Sequence, residues 1–354
     1  MSSGRLRRSP YIVSYWKNGQ LTYHNYLTRV SITASPLCTE VLDFFGHWRR
    51  PKEWNSHLKG FSPASVQETV NHLRDLTFLE LEGQRDKRSG AMEAWNRWSP
   101  EAGFFHFATK DVPYQVEDEA ERRTIRSLLR EHPQPPFFKH YPNAPVVPLP
   151  SMKLPTNSEF LRVLLARRTR REFSSGKLPL EILAHLLRLT WGVAQYTKVE
   201  LLGRVPLKTS PSAGARHPIE VYVAAVRVQG LPQGLYHYVS DHHRLECLRK
   251  AAMKRRVLGY LSGQRWFAEA AATMLMTAVF PRTMWKYPYS RAYRTVLLDA
   301  GHLCQTFCLT ATWFGLAPFC TMALADSRIE RDIGVDGITE SVLYAAGVGW
   351  PRAG

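Results

Sequence analysis

Residues 209–223 read T-S-P-S-A-G-A-R-H-P-I-E-V-Y-V. A loop of small residues and prolines runs straight into an alternating strand, so backbone and short side chains are presented at the strand's entrance. Pro211 and Gly214 shape the backbone there, and Ser212, Ala213 and Gly214 leave room for something large and flat. The same four residues also suit an ordinary turn, and His217 a hydrogen-bonded structural role beside the strand. The surrounding chain decides between these readings.

From 158 onward helix and strand patterns alternate. Helices are predicted over 158–168, where Phe160, Leu161, Leu164 and Leu165 are apolar, and over 179–194. Strands are predicted over 219–228, 234–239, 273–280 and 342–348, with 234–239 forming a hairpin with 244–248 across D-H-H. The longest helix is predicted over 289–314 and stops at Gly315. Val296, Ala300, Leu303, Cys304, Phe307 and Ala311 make it apolar around much of its circumference, which suits a core or a dimer interface. The pattern predicts an α/β or α+β domain with one buried sheet over 151–354.

The chain of 354 residues is long enough for two units. Residues 1–150 predict a small winged-helix-like module and a connector. Ser35-Pro36 and Ser62-Pro63 open two helices, T-F-L-E-L-E-G at 77–83 reads as a strand, and 116–131 as a mixed-charge helix. Eight prolines between 132 and 155 make an extended connector, so the boundary is expected near 150. The second helix offers DNA one cation, Arg74, which argues against nucleic acid and leaves peptide docking, dimer support or plain packing.

The net charge of +17 is uneven: residues 1–150 carry 20 basic and 16 acidic side chains, residues 151–354 carry 27 and 14. The excess therefore lies in the segment with the chemistry, where a phosphate ester or an acidic peptide explains it as well as nucleic acid does. The apolar run at 270–280 is shorter than the roughly 20 residues a bilayer needs. The N-terminus has no apolar signal core, so a cytoplasmic protein is expected. The five cysteines show no paired C-x-x-C spacing, and Cys304 and Cys308 read as core thiols, so neither metal nor disulfide is expected.

Two further stretches offer chemistry. R-R-T-R-R-E-F at 167–173 places planar guanidinium forks and the Thr169 hydroxyl where a helix ends, a match for phosphate; a solvated basic helix end reads the same way. W-K-Y-P-Y-S-R-A-Y-R at 285–294 sets a lysine beside a tyrosine. That pair is either an amine base with a phenol donor or an ordinary aromatic helix start.

Taken in order, R-R-T-R-R-E-F, S-P-S-A-G-A-R-H-P-I-E-V-Y-V, G-L-Y-H-Y, W-K-Y-x-x-S-R-A-Y-R-x-x-L-L-D-A-G-H-L-C-Q and D-G-I-T-E-S-V-L-Y resemble a SagB-type dehydrogenase. These proteins form the azoline oxidase branch of the FMN-dependent nitroreductase superfamily. The resemblance spans about 158–350, and W-x-x-W-S-P-E-A-G-F-F-H-F-A-T-K-D at 95–111 resembles the family's leading segment. It implies an α+β nitroreductase-like fold, a central mixed sheet flanked by helices, and a homodimer with two FMN sites at its interface. It also places the FMN phosphate on Arg167, Arg168, Thr169 and Arg171. The isoalloxazine ring would lie along Pro211, Ser212, Ala213 and Gly214 with His217 close behind, and the catalytic pair would be Lys286 and Tyr287.

Three departures from the family pattern stand out. Thr169 replaces a more usual serine, Thr306 stands where an asparagine is common, and Arg352 is the one C-terminal candidate for a phosphate contact. The second predicts a missing hydrogen bond from helix to loop. The implied reaction is dehydrogenation of azolines to azoles in a modified peptide, with a cyclodehydratase and a precursor peptide as partners. An NAD(P)H-dependent flavin reductase or nitroreductase on another small molecule, or a non-catalytic peptide- or DNA-binding protein, would use the same scaffold.

Overall fold

Serine followed by proline opens both N-terminal helices. Ser35 Oγ accepts from Cys38 N at 3.1 Å and Ser62 Oγ from Ser65 N at 3.1 Å, starting helices Pro36–Phe44 and Pro63–Asp75 where predicted. The structure is a computed structural model that describes residues 4–58, 60–84, 87–98, 100–112, 119–131, 149, 157–200 and 202–352. The two helices' apolar stripes, Val41, Leu42 and Phe45 with Val66, Val70 and Leu73, share a core with Phe78. The predicted strand is Leu79–Leu81, paired antiparallel with Leu6–Arg8. Ahead of the helices lies a sheet absent from the sequence reading: Ile12–Lys17, Gln20–Asn25 and Val30–Thr33, antiparallel throughout. Its signal was Asn18-Gly19 just ahead of the alternating run Gln20–Asn25. Both residues take positive φ, 51° and 75°, as a type I′ hairpin turn requires.

The chain divides into two units. The first comprises Met1–Lys110, Val279–Val296 and Val335–Ser341, and the second Asp111–Ala278, Leu297–Gly334 and Val342–Gly354. Indole N–H groups help to draw the later segments into the first unit: Trp95 Nε1 donates to Ile338 O at 2.9 Å and Trp98 Nε1 to Tyr287 O at 3.0 Å. Around them Trp95, Trp98, His106, Phe280 and Tyr293 pack as an aromatic cluster. Within the cluster His106 Nδ1 lies 2.9 Å from Tyr293 Oη, and burial pushes its imidazole down to about 3. The boundary expected near 150 falls among residues of which Leu149 alone is described between 132 and 156. The mixed-charge helix runs Glu119–Glu131, and 113–118 lie outside the described residues.

The second unit carries a six-stranded sheet in the order 244–250, 234–239, 219–225, 272–279, 340–349, 317–321. Strand Ile219–Ala225, the continuation of the opening stretch, sits inside the sheet and is buried along nearly its whole length. It pairs antiparallel with Gly234–Val239 on one side and Ala272–Val279 on the other, and the edge pairs are antiparallel too. Parallel pairing occurs instead in the short Leu178–Pro179/Val228–Gln229 pair. Short connections join 219–225 to 234–239 and 234–239 to 244–250, as antiparallel neighbours allow. Helices Glu159–Ala166, Leu180–Thr190 and Ala292–Trp313 follow the predicted pattern, the last ending just before Gly315 at φ 71°. The hairpin Gln195–Val199/Gly203–Leu207, the edge strand Ala317–Thr321 and the helix Asp326–Ile333 were not predicted.

Candidate functional site

The small-residue loop is held at successive hydroxyls. Thr209 Oγ1 donates to Leu189 O at 2.6 Å, and Ser210 Oγ lies 2.6 Å from Thr306 Oγ1 on the long helix. Ser212 Oγ donates to Asp299 Oδ2 at 2.5 Å and accepts from His217 N at 2.9 Å. His217 Nε2 is 3.0 Å from Pro206 O, a contact that assigns its proton to Nε2. Between these anchors Gly214, Ala215 and His217 take φ of 59°, 54° and 44°. Two non-glycine residues in the left-handed region are costly, and such a backbone persists where its surroundings enforce it. Pro211 is exposed, while Ser212, Ala213, Gly214 and His217 are half-buried, so the loop stays accessible.

The helix-to-loop hydrogen bond expected to be missing is present. Thr306 supplies its hydroxyl to Ser210, and Asp299 receives Ser212. Asp299 was not among the predicted site residues, although it is the one carboxylate within the apolar run of the long helix, which was the available signal. It is 5% exposed, and burial raises its carboxyl above the usual range, opposed by bonds from the Ser212 hydroxyl and the Ala213 N–H.

Helix Glu159–Ala166, capped by Ser158, delivers the arginine turn. Arg167 is half-buried, whereas Arg168, Thr169 and Arg171 are exposed. Arg168 Nη1 donates to Leu165 O at 2.9 Å and Arg167 O at 2.8 Å, so this side chain caps its own helix and has its remaining donors to spare. Arg170 N donates to Pro318 O at 3.0 Å, tying the turn to the edge strand. Ser174 N donates to Trp350 O at 3.0 Å and Arg352 N to Glu172 O at 3.4 Å, which bring Arg352 beside the turn. Among the described residues no carboxylate pairs with Arg167, Arg168, Arg170 or Arg171. Four cations close together in sequence, with no acidic partner among the described residues, leave guanidinium donors free for an anion to use.

Lys286 and Tyr287 belong to the first unit. Lys286 is exposed in the last turn of helix Phe280–Lys286, its Nζ 5.5 Å from the centroid of the Tyr287 ring. Tyr287 is half-buried, and its carbonyl is pinned by the Trp98 indole. A third cysteine joins the helical pair that the sequence showed: the Sγ atoms of Cys304, Cys308 and Cys320 all lie within 4.8 Å of one another.

Residues 164–350 match the nitroreductase family. The trifolitoxin-processing protein TfxB of Rhizobium leguminosarum bv. trifolii is 25% identical over 326 residues, which cover 89% of this chain and 87% of that protein. The trifolitoxin-processing protein TfxF of the same organism is 23% identical over 224 residues, covering 63% and 69%. Among solved structures, the E. coli microcin synthetase McbBCD complex with truncated pro-MccB17 bound contains a chain of like fold. It has a TM-score of 0.51 at 19% identity, covering 76% of this chain and 99% of that one. The nitroreductase match takes in more than half of the residues, including the arginine turn, the small-residue loop and the long helix, and the chain is accordingly an oxidoreductase that belongs to the nitroreductase family.

Proposed function

We propose that the protein binds FMN and dehydrogenates azoline rings to azoles in a modified peptide. The observation that carries this reading is the loop Thr209–His217. Short side chains are held open and rigid by two hydroxyl contacts to one helix, and the backbone keeps a left-handed shape that only such clamping sustains. The residues present fit the cofactor. The guanidinium groups of Arg167 and Arg171, which no carboxylate among the described residues pairs, the spare donors of Arg168, the Thr169 hydroxyl and Arg352 would hold the phosphate. Pro211, Ser212, Ala213 and Gly214 would face the flat ring, with His217 behind them.

Bound FMN supplies the two-electron acceptor. An azoline becomes an azole by losing one proton and one hydride from its ring. Lys286 Nζ or Tyr287 Oη takes the proton, and the hold of Trp98 on the Tyr287 carbonyl fixes the backbone of the pair. The peptide class rests on the two trifolitoxin-processing relatives, one of which aligns over 89% of the chain. A precursor peptide and a cyclodehydratase are the corresponding partners. A homodimer is supported by apolar side chains left open on two helices of the second unit, Phe160 at 67%, Leu165 at 58% and Leu298 at 59% exposure. Among the described residues no helix is long and apolar enough to cross a membrane, in keeping with a cytoplasmic protein.

The test is a pair of measurements. Freshly purified protein is expected to be yellow with an FMN absorption band, and Lys286→Ala is expected to keep that band while oxidising an azoline peptide about 10²-fold or more slowly. A colourless protein would overturn the cofactor, and a wild-type rate in the variant would overturn the role of Lys286. Steady NAD(P)H oxidation without azoline turnover would point to a flavin reductase.

A further inference from the structure

The three-cysteine cluster lies outside the machinery just described. Cys304 and Cys308 are four residues apart on one face of the long helix and are 3% and 5% exposed. Cys320 approaches from the edge strand Ala317–Thr321 and is half-buried. All three sulfur atoms fall within 4.8 Å of one another. Zinc–sulfur bonds of about 2.3 Å place sulfurs roughly 3.8–4.0 Å apart in a trigonal or tetrahedral site, so modest side-chain rotation would close the cluster on one ion. The Tyr344 hydroxyl reaches Cys320 and offers an oxygen at the rim, and Arg167 lies within charge range of Cys308 and Cys320.

We propose that Cys304, Cys308 and Cys320 form a site for one thiophilic divalent cation of the zinc class. Binding would release three thiol protons and leave a complex with one net negative charge. Arg167 is placed to offset that charge, whereas a monovalent ion would leave two negative charges in a buried setting. The site draws on the two ends of the link between long helix and edge strand, so an ion there would stiffen the sheet edge to which Arg170 is tied.

The test is titration of the chelator-treated, reduced full chain with Cd²⁺, read as thiolate-to-metal charge-transfer absorption in the ultraviolet. The expected result is one ion per chain. Affinity should fall by more than the roughly 10–100-fold typical of losing a ligand's supporting contact in Cys304→Ser, Cys308→Ser and Cys320→Ser. It should stay unchanged in Cys38→Ser and Cys247→Ser. Because a core serine could unfold the chain, the wild type is also treated with a maleimide, with and without one equivalent of Zn²⁺. Zinc should protect Cys320, the accessible member of the three, and leave the exposed Cys247 reactive. Absence of a band at one equivalent, a band that survives all three cluster substitutions, equal labelling with and without zinc, or a disulfide within the cluster in place of bound metal would each overturn the proposal.

Discussion

Removing the Asp299 carboxylate should free the small-residue loop. Its Oδ2 takes the Ser212 hydroxyl at 2.5 Å, and the Ala213 N–H also bonds to this carboxylate. In Asp299→Ala the Ala213 N–H loses its acceptor and Ser212 loses a charged partner, each worth about 1–3 kcal/mol, although the hydroxyl can turn elsewhere. A net loss of roughly 3 kcal/mol follows, which in urea lowers the midpoint by about 1 M or more. Asp299→Asn keeps the shape: its amide oxygen can accept from Ala213 and its amide N–H can donate to Ser212 Oγ. The pH sign separates the two variants. Burial raises the folded carboxyl above its ordinary 3.8, so its contribution is full below that value and is lost as pH rises through the folded pKa. The stability of Asp299→Asn relative to wild type should therefore improve from acid to neutral pH. Urea unfolding at both, with flavin content measured alongside, reads the outcome. An Asp299→Ala protein with the wild-type midpoint and full flavin content would refute the clamp.

Three further outcomes follow from the packing. His106 stays neutral in the fold down to about 3 but titrates near its ordinary 6.5 once unfolded, so stability should fall as pH drops between these values, by up to about 1.4 kcal/mol per pH unit; chemical denaturation of His106→Gln should show a flatter profile. A Cβ on Gly347 would sit 2.3 Å from the Phe319 ring, so Gly347→Ala should cost about 1–3 kcal/mol, measured as a lower unfolding midpoint. Ser35→Ala and Ser62→Ala should each cost about 1 kcal/mol through their lost caps, and a variant with no loss would show that its cap is dispensable.

Periodic features were legible in the sequence and compact ones were not. The long helix announced itself through Val296, Ala300, Leu303, Phe307 and Ala311 and stopped before Gly315, because a helix apolar over so many turns has few alternatives. Strand Ile219–Ala225 was equally plain. The sheet over 12–33 escaped notice because Trp16 and Lys17 interrupt its apolar alternation, leaving the Asn18-Gly19 turn as its clearest mark. Ala317–Thr321 is a short edge strand containing Pro318, which lowers its strand signal. The loop residues Pro211–Gly214 were recognisable as small and turn-forming, but their rigidity depends on Asp299 and Thr306, far along the chain. Cys320 likewise meets Cys304 and Cys308 only through the fold. Side chains that cooperate across such separations leave no spacing to read.

The most direct test of FMN-dependent azoline dehydrogenation is anaerobic mixing of the purified, flavin-loaded protein with a thiazoline peptide. The expected result is bleaching of the flavin band, with one azole formed and two hydrogens lost from the peptide per flavin bleached. A band that stays unchanged with the peptide yet bleaches on adding NADH would contradict it.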